Sequence, residues 1–252
     1  DQVNSVKEYI KNIKGFKSLE IIERPNNFGL SKNIIEGVTE VLRNFNSAII
    51  VEDDLVTSPY FLGYMNTSLD KYSDEPRVAS VHGYTYPVDV SLPDTFFLRG
   101  ADCWGWATWR DRWAGFNQDP KQILEDIKSK NLEDEFNYGG YSQFTNMLEN
   151  KIKGKNDSWA ILWHGYNFLQ NKLTLYPGKS LVQNIGNDNS GEHSDNVNYF
   201  DVNLSLEKLE VSDIQIEESQ VGKLAYQEYF KRNRVSFTQR LFKKLKSLNN
   251  HS

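Results

Sequence analysis

The 252-residue sequence has little cysteine, no long apolar run and no excess of positive charge. Its single cysteine, Cys103, excludes an internal disulfide and is typical of proteins kept in a reducing compartment. No apolar stretch approaches the roughly 20 residues that a membrane-spanning helix needs. The net charge of −5 argues against a nucleic-acid-binding protein, which is generally basic. We therefore expect a cytoplasmic protein without a nucleic-acid partner.

Positive charge is concentrated near the end of the chain. Residues 231–246 contain seven Lys and Arg side chains and no acid, so this segment is +7 and the remainder is −12. Farther along, Leu241, Leu245 and Leu248 fall on one helical stripe with lysines beside it. This pattern suits either a solvated basic helix or a peripheral contact with the anionic inner face of the plasma membrane.

Helical and strand periodicities alternate along the chain. Strands are predicted at 18–23, 47–51, 77–84, 95–99 and 173–176. Helices are predicted at 3–13, 31–45, 58–72, 119–130, 157–171 and 219–232. This order predicts an α/β fold with a doubly wound, mostly parallel sheet flanked by helices.

Three other features of the chain bear on its organisation. Residues 100–113 read as a turn that enters an aromatic helix, and residues 204–216 as a pair of edge strands or a hairpin. The chain starts at Asp1 rather than at a methionine, and a helix precedes its first predicted strand. We therefore expect the sequence to begin partway through its first βαβ unit.

Three acids directly follow the predicted strand at 47–51. Adjacent carboxylates such as Glu52, Asp53 and Asp54 repel one another unless a cation or strong hydrogen-bond donors lie among them. Their oxygens favour Mg²⁺ or Mn²⁺, and the usual partner of such an ion is a diphosphate. The alternative is an acidic surface turn before the helix that Ser58 and Pro59 begin.

Two further segments combine features of a binding site with ordinary structural roles. The loop from Arg24 through Gly29 to Asn33 offers close backbone approach and the N–H donors of a helix N-terminus. Strand-to-helix turns, however, commonly contain Gly and Asn. Asp157 begins an aromatic helix, where it is either a plain N-cap or a general base.

Histidine and tryptophan residues supply the remaining candidates. His193 lies in a polar loop rich in Gly and Asn, 184–196, which is either a mobile lid with a metal or phosphate contact or a solvated loop. Trp104 and Trp106 flank Gly105 in a turn and are suited to stacking against a sugar ring. Spacings of three and four residues from Trp106 onward are, by contrast, typical of core packing.

These features belong to a linked pattern of four stretches. They are Arg24…Asn27-Phe-Gly29…Asn33-Ile-Ile-Glu-Gly37, Ile49-Ile-Val-Glu-Asp-Asp-Leu-Val-Thr-Ser-Pro-Tyr-Phe61, Arg99-Gly-Ala-Asp-Cys-Trp-Gly-Trp-Ala-Thr-Trp109 and Asn156-Asp-Ser-Trp-Ala160. Over about residues 18 to 193, the pattern resembles bacterial nucleotide-sugar glycosyltransferases of the GT-A fold. It is closest to the family-2-like group related to N-acetylglucosaminyltransferase I.

The resemblance implies a GT-A-like, that is Rossmann-like, mostly parallel sheet that is truncated at its N-terminus. Such enzymes begin with a strand that carries the first uridine contacts, then a helix and a second strand. We expect those elements to be missing here, which would leave the nucleotide pocket incomplete and the activity of this chain in question. The implied division is a glycosyltransferase domain at 1–200, a strand and helix extension at 201–232 and a basic amphipathic tail at 233–252.

The resemblance also implies a role for each candidate residue. Glu52, Asp53 and Asp54 look like the acidic metal motif, in which Asp54 would be the direct Mn²⁺ ligand and Asp53 would contact the donor ribose. Asp157 would be the catalytic base. Arg24, Gly29 and Asn33 would line the nucleotide pocket. His193 would lie on the loop that closes over the diphosphate and would contact the metal. Trp104, Gly105 and Trp106 would form the acceptor side of the site.

The implied function is metal-dependent transfer of a sugar, with inversion at the anomeric carbon, in cell-surface glycan synthesis. The donor would be a nucleoside diphosphate sugar, of which a uridine-linked one fits best, and the acceptor a hydroxyl of a glycan or lipid-linked glycan. The cofactor would be Mn²⁺ or Mg²⁺. The alternative is a non-catalytic carbohydrate- or nucleotide-binding relic of such an enzyme.

Overall fold

The structure is a computed structural model that describes residues 2–186 and 198–234. The helices are α1 (Gln2–Lys11), α2 (Leu30–Asn44), α3 (Phe61–Lys71), α4 (Arg110–Trp113), α5 (Pro120–Ser129), α6 (Glu133–Phe136), α7 (Phe144–Ile152), α8 (Ala160–Leu169) and α9 (Gln220–Arg232). The strands are β1 (Ser47–Ile50), β2 (Leu55–Thr57), β3 (Val78–His82), β4 (Thr95–Arg99), β5 (Trp106–Trp109), β6 (Leu173–Pro177) and β7 (Val182–Asn184). A 3₁₀ turn covers Asn198–Phe200. No described helix has the length and apolar character that crossing a membrane requires.

The main sheet has five strands in the order β1-β5-β3-β6-β4, and β2 pairs with β7 in a separate ribbon. Strands β3 and β6 are parallel, whereas the pairs β1–β5, β5–β3 and β6–β4 are antiparallel. The α/β class is therefore confirmed, but the expectation of a mostly parallel sheet is wrong. The difference arises at β5, which returns through the sheet and separates β1 from β3.

Helices cover both faces of this sheet, because its strands are apolar on both sides. On one face, Trp106 packs among the rings of Trp113, Trp159 and Trp163, with centroids 5.1 to 6.1 Å from its own. Helices α2, α5, α7 and α8 supply most of the other residues of this core. On the other face, Trp109 packs with residues of α3 and of the segment 209–216. Period-two alternation thus sends Trp106 and Trp109 to opposite layers.

Helix positions are mostly as the sequence predicts, with differences at the ends. Asp119 caps α5 as expected, since its side chain accepts from the backbone N–H of Lys121 at 2.9 Å. The helix expected from Ser58 begins at Phe61 instead, after the short strand β2. Ser58 still orders this turn, because its Oγ accepts from the N–H of Tyr60 at 3.2 Å.

Three expected elements differ in kind. Residues 18–23 form no strand in the described structure, where Leu19, Ile21 and Ile22 are exposed and no neighbouring strand is available for pairing. Residues 204–216 also form no strand; they are held by isolated bonds, such as Ser205 N–H to the Ser180 carbonyl at 2.8 Å. The aromatic helix expected within 100–113 is mostly strand β5, followed by a single turn, α4.

Candidate functional site

The acids lie at the carboxyl end of a strand, as the sequence predicts, although β1 is a half-buried strand at the edge of the sheet. Strands β1, β3 and β6 point the same way, so their carboxyl ends share one edge. The turn before β5 reaches this edge too, because Trp106 pairs with both Ile50 and His82. The N–H of Trp104 donates to Nε2 of His82 at 3.0 Å, which fixes the turn against β3. Residues of β1, β3 and the turn before β5 therefore meet at this edge of the sheet.

Asp54 is the most firmly positioned of the three acids. Its Oδ2 accepts from Nδ2 of Asn184 at 3.0 Å, and its carbonyl accepts from the N–H of Ile185 at 2.8 Å. A Cβ at Gly186 would lie 2.6 Å from Asp54 Oδ2, so only glycine permits this close approach. The other oxygen, Oδ1, is buried and has no hydrogen-bond partner in the described part of the chain. That oxygen is available to a ligand.

The pKa of Glu52 is raised by its surroundings in the acid run. Burial, followed by the charges of Asp54 and Asp53, raises the pKa of Glu52 to about 7. Asp53 is exposed, which leaves it free to contact a ligand. A cation placed among these groups would relieve their repulsion and favour the ionised form of Glu52.

The acid run suits a divalent cation in its donor chemistry but does not form a closed site by itself. Carboxylate oxygens are preferred ligands of Mg²⁺ and Mn²⁺, and Asp54 offers an unpartnered one. Within residues 2–186 and 198–234, however, no three acidic, histidine or cysteine side chains are grouped closely enough to hold a metal ion. The expected fourth ligand, His193, lies outside the described residues. The residues fit a metal whose remaining ligands come from a diphosphate or water.

Asp157 precedes α8 in the sequence, but its side chain lies at the N-terminus of α2. Its Oδ2 accepts from the backbone N–H of Ser31 at 3.0 Å, and its Oδ1 accepts from Lys151 Nζ at 2.8 Å. Burial raises the pKa of Asp157, but the bonds from Lys151 and Ser31 outweigh it and hold the pKa below its usual value. The interpretation as a plain cap of α8 is wrong, since the capped helix is α2.

The loop before α2 adjoins Asp157. Gly29 has a φ of 74°, and a Cβ there would lie 3.0 Å from Asp157 Oδ2, so the chain needs glycine at this point. Arg24 is half-buried; its Nε donates to Oδ1 of the exposed Asn33 at 3.4 Å, and its guanidinium lies 3.5 Å from a carboxylate oxygen of Glu40. Arg24, Gly29 and Asn33 therefore lie together at the α2 N-terminus.

The two flanking tryptophans of the 104–106 turn have different surroundings. Trp104 is half-buried, and its ring meets those of Tyr84 and Phe200 edge to face, at 4.7 and 5.2 Å. Gly105 is buried, and its carbonyl accepts from the N–H of Gly83 at 2.7 Å. Trp106 has no exposed surface, so its assignment to the acceptor side is corrected to a place in the core.

A cavity of about 460 Å³ opens beside Trp104. Its walls come from the turn before β5, the segment 138–147, α8 and α9, and they are mainly aromatic. Asp102 and Cys103 form part of the lining. Sequence reasoning missed Asp102, although an acid inside the otherwise apolar run Gly100–Gly105 is a signal that could have singled it out.

Comparisons with known proteins do not add to this geometry: no family model matches the chain, and no curated protein is significantly similar to it. The function must therefore be argued from the acid run, the α2 N-terminus and the aromatic cavity.

Proposed function

We propose that this chain is a glycosyltransferase domain that transfers a sugar from a nucleoside diphosphate sugar to a hydroxyl of a glycan acceptor. The observation that carries the proposal is the position of the acid run at one edge of the sheet, next to an aromatic cavity. The first feature suits a metal-bound diphosphate, and the second suits the apolar C–H face of a pyranose. The resemblance of the sequence to GT-A enzymes supports the same conclusion.

Asp54, with Glu52 and Asp53 beside it, would hold the divalent cation. When bound, that cation neutralises the charge that develops on the diphosphate leaving group. Asp53, which is exposed, would contact the nucleoside, and Arg24 and Asn33 would line the nucleotide pocket. The Asn184 bond fixes the orientation of Asp54, which preorganises the site before a ligand arrives.

Asp157 is the proposed base, which would take the proton of the attacking hydroxyl. In the present structure both of its oxygens accept hydrogen bonds, from Ser31 and Lys151, and its pKa is lowered. A carboxylate held in this way is a weak base. The Lys151 contact must therefore open, or be replaced by the acceptor, when the substrate binds.

The test is release of uridine diphosphate from UDP-glucose, UDP-galactose and UDP-N-acetylglucosamine, with and without Mn²⁺. We expect metal-dependent hydrolysis of at least one donor, which Asp54→Ala abolishes. The exposed Glu125→Gln on α5 is the matched control and should behave like the wild type. Release that persists undiminished in Asp54→Ala would refute the assignment of the acid run.

The alternative is a non-catalytic module that binds carbohydrate or nucleotide. The engagement of both Asp157 oxygens favours it, because Asp157 then presents no free oxygen to an acceptor among the described residues. Binding of uridine diphosphate with Mn²⁺, in the absence of hydrolysis or transfer with any donor, would support the module over the enzyme.

A further inference from the structure

The aromatic cavity contains one acidic side chain that lacks a cationic partner. Oδ1 of Asp102 accepts from the backbone N–H of Cys103 at 3.0 Å. Within the described residues, no Lys, Arg or His side chain forms an ion pair with Asp102. A carboxylate surrounded by apolar groups is costly unless donors compensate its charge. Its other oxygen, for which the described residues provide no hydrogen-bond donor, is thus a natural acceptor for hydroxyl groups of a ligand.

The ionisable neighbours of Asp102 place its carboxylate among the rings of the cavity. Burial, and then the charge of Asp102, raises the pKa values of Tyr86, Tyr176 and Tyr226. These three side chains and Asp102 line the same cavity. The pKa of Asp102 itself rises to about 6 through burial, so the group is mostly ionised at neutral pH.

The rings around Asp102 hold one another in fixed positions. Tyr86 meets Tyr226 edge to face at 4.9 Å, and Tyr176 meets Tyr226 in the same way at 5.7 Å. The ring of Trp104 meets that of Tyr84 edge to face, with the two centroids 4.7 Å apart. Rigid aromatic walls bury the apolar face of a sugar ring at little entropic cost, and a charged acceptor among them binds its hydroxyls.

Cys103 connects this cavity to the acid run. Burial first, and then the charges of Asp102, Glu52 and Asp54, raises the pKa of the Cys103 thiol. The thiol therefore lies within electrostatic reach of Asp102 and of two acids of the acid run, Glu52 and Asp54. A sugar seated in the cavity would be adjacent to the proposed diphosphate site.

We propose that the cavity binds a pyranose unit of the acceptor glycan and that Asp102 determines its specificity by accepting hydrogen bonds from ring hydroxyls. This inference rests on the proposed function, because a transferase needs an acceptor site beside its donor site. Ser142, Gln143 and Ser158 also line the cavity and add neutral hydrogen-bonding groups, which suit a polyhydroxyl ligand better than a bare cation.

The experiment follows tryptophan indole N–H signals by NMR while methyl β-glucopyranoside, methyl β-galactopyranoside or methyl β-N-acetylglucosaminide is added. The Trp104 signal is assigned by its loss in Trp104→Phe, and the buried Trp109 serves as the internal reference. We expect at least one glycoside to shift the Trp104 signal saturably and to leave Trp109 unchanged. In Asp102→Asn the dissociation constant should rise about 10- to 100-fold, the effect of losing a hydrogen bond to a charged group.

Asp74→Asn, which changes an exposed acid that does not line the cavity, is the control and should bind as the wild type does. If none of the glycosides shifts the Trp104 indole signal of the wild type, the proposal is overturned by that result alone. Unchanged affinity in a folded Asp102→Asn overturns the role of Asp102. Tighter binding of tetramethylammonium than of every glycoside would show a cation site instead.

Titration of the same samples with uridine diphosphate and Mn²⁺ separates the two proposals. Glycoside binding that depends on Asp102, without nucleotide binding, would uphold the cavity assignment and count against the transferase. Nucleotide binding without any glycoside response would overturn the cavity assignment alone.

Discussion

Replacing Glu52 by Gln tests whether the acid run is electrostatically strained without a cation. The pKa of Glu52 rises from 4.5 to about 7 on folding, first through burial and then through Asp54 and Asp53. Because the folded pKa is raised, the folded state holds a proton between pH 4.5 and 7 that the unfolded state has released. The contribution of Glu52 to stability is therefore present below pH 4.5 and is lost as the pH rises through 7.

The size of this loss follows from the shift. At about 1.4 kcal/mol per pKa unit, the shift corresponds to about 3 kcal/mol, and partial solvent access reduces it to roughly 1–3 kcal/mol. At pH 8, Glu52→Gln should thus be more stable than the wild type by that amount, or by a few degrees in Tm. At pH 4 the two proteins should unfold alike, apart from small effects of the amide.

The assay is urea unfolding followed by circular dichroism at pH 4 and pH 8, without divalent cations. Glu125→Gln, on an exposed face of α5, is the control. The difference between its free energy of unfolding and that of the wild type should be the same at both pH values. The reasoning fails if Glu52→Gln has the same effect at both pH values, or if it destabilises the protein at pH 8. Either result would mean that burial and the neighbouring acids do not disfavour the charge of Glu52 in the folded chain.

Four further substitutions test the packing and the hydrogen bonds of the site, three of them by urea unfolding and the fourth by calorimetry. Trp106→Ala should lower the free energy of unfolding by about 3–5 kcal/mol because its ring is wholly buried, and Trp104→Ala should cost clearly less; equal losses would contradict their different surroundings. Asp157→Ala should cost about 0.5–2 kcal/mol, since the N–H of Ser31 loses its acceptor, and a neutral result would argue against capping of α2. Asn184→Ala should weaken Mn²⁺-dependent binding of uridine diphosphate in calorimetry, and unchanged binding would show that the Asn184 bond does not orient Asp54.

The sequence predicts the parts of the fold that depend on local chemistry. The Asp119-Pro120 helix start, the strand at 95–99 and the acids that follow β1 are all confirmed. In each case the signal lies within a few residues, as a cap, a period-two run or a strand end. These features need no knowledge of distant neighbours.

Features that depend on distant partners could not be predicted in the same way. Asp157 is N-terminal to α8 in sequence, yet it caps α2, which lies more than a hundred residues earlier. The sequence predicts a helix where β5 lies because a spacing of three between Trp106 and Trp109 fits a helix face, whereas in the sheet this spacing places the rings on opposite faces. The direction of β5 likewise depends on its pairing with β1 and β3, which the local pattern does not encode.

Two predictions fall on residues outside the described structure. His193 as a metal or diphosphate contact, and the basic tail as a membrane contact, both remain predictions. Co-sedimentation with anionic liposomes, with and without residues 235–252, tests the tail; equal pelleting of the two proteins would end the membrane hypothesis.

The most direct test of the acid run as a metal and diphosphate site is titration calorimetry with uridine diphosphate, with and without Mn²⁺. The account predicts saturable binding that requires Mn²⁺ and weakens by at least about 10-fold in Asp54→Asn, because losing a direct metal ligand should cost no less than losing a residue that orients one. It would be contradicted by nucleotide binding that is equally strong without the metal, by unchanged binding in Asp54→Asn, or by the absence of binding under all conditions.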